Sequence, residues 1–386
     1  MTVPGLKECQ RRVPGILASW MRVVFTVLAG AVLTGCSSLS YYAQSVQGHL
    51  SLMWAARPVD DWLQDPSTPA ELAQKLELAR RIRAFASAEL ALPDNKSYHR
   101  YADLRRSAAV WSVAAAPADS LTLKTWCFPV VGCVGYRGYY DESAARELAG
   151  QLAQQEGLEV SVFGVPAYST LGWLEWLGGD PLLSTFIRYP EGELARMIFH
   201  ELAHQVVYAD DDTMFNESYA TAVERLGVQH WLAVRGSEQA RREYTELDAR
   251  RRAFRALTWQ TRQELEEVYV QNEQTGQSKT GRMLTSTAKA MVMARFRERY
   301  QQLKRQWAAE GAPFDGYDRW VAEANNASFG VQAVYDELVP QFEALFERTG
   351  RDWGRFHAAV AEIARLPRQE RRARLADTLQ ARAAAG

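Results

Sequence analysis

Histidine and cysteine are scarce in this chain of 386 residues, with six of the first and four of the second. Four cysteines cannot staple a chain of this length, so it is not a disulfide scaffold. Six histidines argue against a metal-storage protein and make any close pair of them informative. Net charge is lacking too: 45 Lys and Arg meet 46 Asp and Glu, leaving −1. That argues against a general nucleic-acid binder. No apolar run is long enough to span a bilayer as an ordinary helix. What the chain does have is apolar material, 47% of it, including 12 Trp, 16 Tyr and 14 Phe. That is too much for a disordered chain and enough for one large lobed domain or two or three smaller ones.

The one apolar stretch near the start is short. Residues 23–33 read VVFTVLAGAVL after Arg22, and lead into Leu33-Thr34-Gly35-Cys36-Ser37. A positive flank, a short apolar core and small residues make a secretory signal. The Cys at its end resembles a bacterial lipobox. The resemblance implies that Cys36 is lipidated and becomes the mature N-terminus, and that Ser37 directs the protein to an outer membrane. Met21 would make a more ordinary start for such a signal than Met1. Acyl chains on Cys36 would tether a soluble body to the cell envelope, on its periplasmic face. In that oxidising compartment a bridge between Cys127 and Cys133 can close the loop between them.

Periodicity predicts an α+β, mostly helical fold. Helical patterns cover 41–62, 68–91 (with Thr68 as cap and Leu72, Leu76, Ala79 and Ile82 inward), 142–156 and nearly everything after 191. Residues 110–140 are β-prone, notably LTLKTW (121–126) and VVGCVGYRGYY (130–140). Residues 158–163 alternate like a strand, so the sheet is small. The expected organisation is a signal over 1–35, an α+β region over 36–190, a helix pair over 191–235 and a C-terminal helical lobe over 236–386. Charges of both signs at i, i+4 spacing in 236–310 suit the solvated faces of long helices. The Arg- and Ala-rich tail from 367 suits a frayed end. His49, His99 and His357 stand alone and suit surface or packing positions.

The remaining histidines carry the chemistry. Residues 200–204 read His200-Glu201-Leu202-Ala203-His204, an H-E-x-x-H motif. On a helix, positions i and i+4 lie about 40° apart, so both imidazoles can share one ion. Glu201 is turned away from that line and can reach a water on the ion. Pro190, Glu191 and Glu193 suit the start of this helix, and Leu194, Ile198, Leu202 and Val206 form its apolar stripe. After an acidic turn (Asp210, Asp211, Asp212) a second helix opens with Phe215-Asn216-Glu217-Ser218-Tyr219-Ala220. A short connection makes the two helices antiparallel neighbours. Glu217 then faces His204, and two His with one carboxylate leave a fourth position for water.

HExxH on one helix and NExxA on the next resemble the gluzincin metallopeptidases, the group of thermolysin and the zinc aminopeptidases. The chain is more closely similar to a bacterial family of zinc aminopeptidases, many of them lipoproteins. YYAQSVQGHL (41–50), GCVGYRGYYD (132–141), PAYSTLGW (166–173), DPLLST (180–185), FHELAHQVVY (199–208), FNESYATAVE (215–224) and NNAS (325–328) carry that resemblance. It implies a zincin-like fold with Zn2+ held by His200, His204 and Glu217, Glu201 as general base, and a peptide as substrate. The thermolysin-type pattern has an acid four residues after the glutamate ligand to support a ligand histidine. Here that residue is Thr221, which leaves the support to Glu224 or to an Asp of 210–212. Related enzymes place a Tyr or His downstream as transition-state donor, and His230, Tyr269 and Tyr335 are the candidates. A strand near 158–165 could pair with an extended peptide, with Tyr168 and Ser169 lining the cleft. The G-x-M-E-N signature of one aminopeptidase group is missing, so the choice between end and internal cleavage stays open. The alternative is a non-catalytic envelope lipoprotein that binds a partner on a zincin scaffold. The intact Glu201 speaks against it, because a binding module has no need of that residue.

Overall fold

A computed structural model describes residues 41–383, apart from 129–131, 168–177, 211 and 276–278. For a few helical residues, Tyr335 among them, only the backbone is described. Cys36, Tyr168 and Ser169 lie outside the described residues. The chain divides into two compact units, Met1–Ser51 and Leu52–Gly386. Of the first, residues 41–51 are described, and they are helical (α1).

The second unit is mostly helical with three small sheets. In chain order it contains β1 (Arg57–Pro58), α2 (Val59–Gln64), α3 (Ala70–Leu90), β2 (Arg100–Ala102), β3 (Val110–Ala116), β4 (Trp126–Phe128), β5 (Gly132–Val134) and β6 (Arg137–Tyr139). Then come α4 (Glu142–Glu156), β7 (Glu159–Val165), β8 (Leu182–Leu183), α5 (Glu191–His204) and α6 (Thr213–Val234). The rest is helix: α7 (Glu238–Thr275), α8 (Lys279–Ala309), α9 (Asp318–Glu323), α10 (Asn326–Asp336), α11 (Val339–Arg348), α12 (Trp353–Ala364) and α13 (Arg368–Ala383). No described helix is long and apolar enough to cross a membrane.

The main sheet has the order β6-β3-β7, antiparallel throughout. Its central strand is buried from Trp111 to Ala116. Alanines at 114–116 let helices approach closely; Ala114 and Ala116 meet Ala327 of α10, and α4 also packs on this sheet. A strand buried along its length reads as a continuous apolar run, because neither face meets water. In the β4-β5 ribbon Cys127 and Cys133 are directly opposed and joined by a disulfide. The β-prone stretch 121–125 stays outside the strands.

The third sheet has the order β1-β2-β8, in which β2 and β8 run parallel with Tyr101 opposite Leu182. It feeds the largest core, built around α3, α5 and α6: Ile82, Phe85, Ile198, Phe199, Leu202, Phe215 and Tyr219 are all buried there. At Gly227 of α6 the helices approach so closely that a Cβ would stand 2.9 Å from Leu90 and 3.0 Å from Phe199. Phe342 of α11, Phe356 of α12 and Leu375 of α13 join the same core. The tail is therefore not frayed over this stretch: Leu375 is fully buried, and Arg371 and Arg372 pair with the buried Asp212. A second core lies between α7 and α8, with Phe254, Leu265, Phe296 and Trp307, and takes in Val321 of α9. The outer faces of these long helices carry the i, i+4 pairs Arg242–Glu238, Arg252–Asp248 and Arg262–Glu266.

Helix α3 starts one step later than its capping signal. Pro69 is its N-cap residue, without a side-chain cap, and the Thr68 hydroxyl is buried without a partner among the described residues. His357 is buried and uses both ring nitrogens, one with the Tyr219 hydroxyl at 2.8 Å and one with the Leu90 carbonyl at 2.9 Å.

Candidate metal centre

Helix α5 is amphipathic, and the stripe Leu194, Ile198, Leu202 is fully buried. Helix α6 lies against it. Contacts between the two recur every seven residues along α6, which is nearly two turns and so keeps one face. Glu217 meets His200 and His204 near the end of α5. Glu224 meets His200 and Arg196 one to two turns earlier. The Trp231 indole donates to Glu191 at the start of α5, at 2.9 Å. The pair is therefore antiparallel.

Asp212 caps α6 by accepting from the Phe215 N–H at 3.2 Å. Asn216 then binds the turn in both directions: its Oδ1 accepts from the Ala209 N–H at 2.8 Å, and its Nδ2 donates to the Ala209 carbonyl at 2.9 Å. Cap and clamp together set where Glu217 begins its turn. Its Oε2 lies 3.3 Å from His200 Nε2 and 3.7 Å from His204 Nε2. The two Nε2 atoms are 3.2 Å apart. This His-His-Glu group can hold a metal ion.

Behind the triad runs a chain of charges. His200 Nδ1 donates to Glu224 Oε2 at 2.9 Å, and Arg196 Nε donates to Glu224 Oε1 at 2.8 Å. Arg196 also reaches Glu193 at 3.3 Å, and Glu193 meets Arg251 of α7 at 2.5 Å. Of the acids that could support His200, Glu224 is the one that meets it. The acid of the turn, Asp212, is taken by its cap and by Arg371 and Arg372. His204 has no such support: its Nδ1 is buried without a partner among the described residues.

The charges tune one another. Burial opposes a proton on His200, but Glu217 and Glu224 outweigh it and hold the pKa up at about 10. Burial would raise Glu224, yet Arg196 and His200 hold it down at about 2. Glu217 is likewise held well below the usual carboxylate range, against its burial, by His204 and His200. Glu201 goes the other way. Burial raises it, and the charges of Glu217 and Asp180 add to that, while His200 and His204 offset part of it.

A wall closes the Glu201 side. Gln205, at the C-cap of α5, accepts from Asn95 at 2.7 Å and donates to Ser97 and Asp180, each at 3.2 Å. The fully buried Arg83 of α3 holds the loop from beneath through the carbonyls of Pro93, Asn95 and Ser97. At Gly179, where φ is +67°, a Cβ would strike the Ser97 backbone at 2.5 Å. Tyr98 belongs to this wall, and nothing in the sequence around it marks it out.

The structure thus brings His200, Glu201, His204 and Glu217 together and adds Glu224, Arg196 and Tyr98. It places two of the donor candidates elsewhere. His230 lies thirteen residues beyond Glu217 on α6, about 20 Å along the axis, against Phe85 and 3.7 Å from Glu89. The Tyr269 hydroxyl donates to Asn326 at 2.8 Å in the second core. Tyr335 is on α10, which packs against α6; its side chain lies outside the described residues.

No curated protein and no solved structure matches this chain. A family model described as "putative aminopeptidase" matches residues 40–375, and the chain belongs to that family.

Proposed function

We propose that this chain is a zinc-dependent peptidase with a zincin-like centre, made as a lipoprotein whose lipidated Cys36 tethers it to the periplasmic face of an outer membrane. The observation that carries the reading is the spacing of the triad. A tetrahedral ion bound at about 2.0–2.1 Å keeps its ligand atoms about 3.3 Å apart. The three separations here are 3.2, 3.3 and 3.7 Å. Two imidazole nitrogens and a carboxylate oxygen suit zinc, and three ligands leave a position free for chemistry. The buried Glu224 acceptor fixes the Nδ1–H tautomer of His200, so that Nε2 is the nitrogen offered to the ion.

Zinc, when bound, supplies a Lewis acid and lowers the pKa of a water. The residues do the rest. Glu201, one residue along from His200, accepts a proton from the attacking water. It then carries that proton to the amine that leaves as the peptide C–N bond breaks. Its raised pKa, from burial, suits a group that must both take and give a proton near neutrality. Strand β7 is at the edge of its sheet, and an edge strand is where an extended peptide can pair.

The test is the zinc content of the soluble body (residues 37–386) and of its His204→Ala and Glu217→Ala variants. One zinc per chain, lost in both variants, is expected. A folded wild type that binds no zinc ends the reading. Membrane partition of the full-length protein, lost on Cys36→Ser, is the corresponding test of the tether.

A further inference from the structure

Two groups in the centre lack partners, and they are complementary. Glu201 is partly buried, and its carboxylate accepts no hydrogen bond from any described residue. Tyr98 is almost fully buried, at 2% exposure, and its hydroxyl has no partner among the described residues. An acceptor without a donor and a donor without an acceptor are each costly away from water. Both lie on one side of the centre: Tyr98 follows Ser97, which Gln205 holds one turn along α5 from Glu201.

The backbone explains how they meet. Glu201 and Gln205 lie one turn apart on the same side of α5. Gln205 is bound to Asn95, Ser97 and Asp180, so the segment carrying Tyr98 is held against that side. The Tyr98 N–H donates to the Asp180 carbonyl at 2.6 Å, which continues the β2-β8 pairing past the end of the strands. Tyr98 is also strained, with φ at +68°. A bulky residue rarely adopts that conformation, and where it persists the surroundings enforce it, often at a working site. Here the enforcement is visible in Arg83, Gln205 and Asp180.

We propose that Tyr98 is a positioning residue for Glu201: its hydroxyl donates to one carboxylate oxygen and leaves the other aimed at the attacking water. The bond forms as the site is loaded, since catalytic hydrogen bonds are often long before then. This rests on the metallopeptidase reading above, with Glu201 as its base.

The test compares Tyr98→Phe with Glu201→Gln in the zinc-loaded full-length protein, on a pool of unblocked oligopeptides read by mass spectrometry. Tyr98→Phe is expected to lower kcat roughly 10- to 100-fold with KM, zinc content and Tm unchanged. A crystal structure of the zinc-loaded wild type is expected to show Tyr98 Oη within about 3 Å of a Glu201 oxygen. An inactive Glu201→Gln beside a fully active Tyr98→Phe overturns this proposal and leaves the peptidase reading standing. A fully active Glu201→Gln ends both. Loss of zinc or Tm in step with activity in Tyr98→Phe assigns the tyrosine to packing and overturns positioning. So does a zinc-loaded crystal structure in which the hydroxyl still has no acceptor.

Discussion

His200 Nδ1 stands 2.9 Å from Glu224 Oε2, and the same carboxylate takes Arg196 on its other oxygen. One buried acid therefore orients an imidazole of the candidate metal site and is itself fixed by an arginine four residues before that imidazole. Outer partners of this kind typically contribute 10- to 100-fold in metal affinity. Glu224→Gln keeps the shape but can no longer accept with full charge from both neighbours. Its zinc affinity, measured by competition with a chelating dye, should fall by about that factor. Affinity equal to wild type would show that the ring is held by packing alone.

Asn216 should matter twice. Its two bonds to Ala209 are buried, and Asn216→Ala leaves a backbone N–H and C=O unpaired. That should cost about 2–3 kcal/mol of stability. It should also loosen the start of α6 and so weaken zinc binding through Glu217. Asn326 makes the control. It is as buried, and its Nδ2 serves the carbonyls of Pro117 and Ser120 near the second core. Asn326→Ala should lose similar stability in urea melts and no zinc affinity. Equal zinc loss in both variants would mean that Asn216 acts only through global stability.

The His-His-Glu group could be read from the sequence because its spacing is local. His200 and His204 are one turn apart, and Glu217 opens the next helix. The disulfide, α4 and the strand at β7 were similarly legible from short-range pattern. Glu224 was open to inference only as one of several acids. What selects it is the seven-residue step from Glu217, which keeps it on the same face, and that matters only once α5 is known to lie there. Tyr98 and the wall of Asn95, Ser97, Asp180 and Gln205 come from pairing between segments some eighty residues or more apart. No local pattern encodes that. Two of the downstream donor candidates, His230 and Tyr269, lie elsewhere for the same reason: His230 has the right chemistry, but helix geometry carries it about 20 Å away.

Asp212 concentrates three jobs in one fully buried side chain: it caps α6 at Phe215 and pairs with Arg371 and Arg372. The tail helix α13 is thereby pinned to the start of α6, the helix that carries Glu217. Asp212→Ala removes the cap, worth about 1 kcal/mol, and strands a nearly buried Arg371, which costs more. The sum should be about 3 kcal/mol or above in urea melts. It should come with faster proteolysis within 368–383, read by limited digestion and mass spectrometry. An unchanged digestion pattern would show that Leu375 alone holds the helix down.

The charge network predicts how the metal-free protein and its zinc affinity respond to pH. His200 has a folded pKa of about 10, against an ordinary value of 6.5. Its contribution to stability is therefore whole below pH 6.5 and is lost as pH rises through about 10. Glu224, held at about 2 against 4.5, contributes above pH 4.5 and loses that contribution as pH falls through about 2. The metal-free protein should gain most from this network between those limits, from about pH 4.5 to 6.5. Zinc needs the free Nε2 of His200, so binding near neutral pH must expel the proton that the carboxylates hold there. Calorimetry in buffers of different ionisation enthalpy should report about one proton released per zinc at pH 7.5 and an affinity that climbs with pH up to about 10. Zinc binding without proton release at pH 7.5 would mean that His200 is already neutral and that Glu217 and Glu224 do not hold its proton.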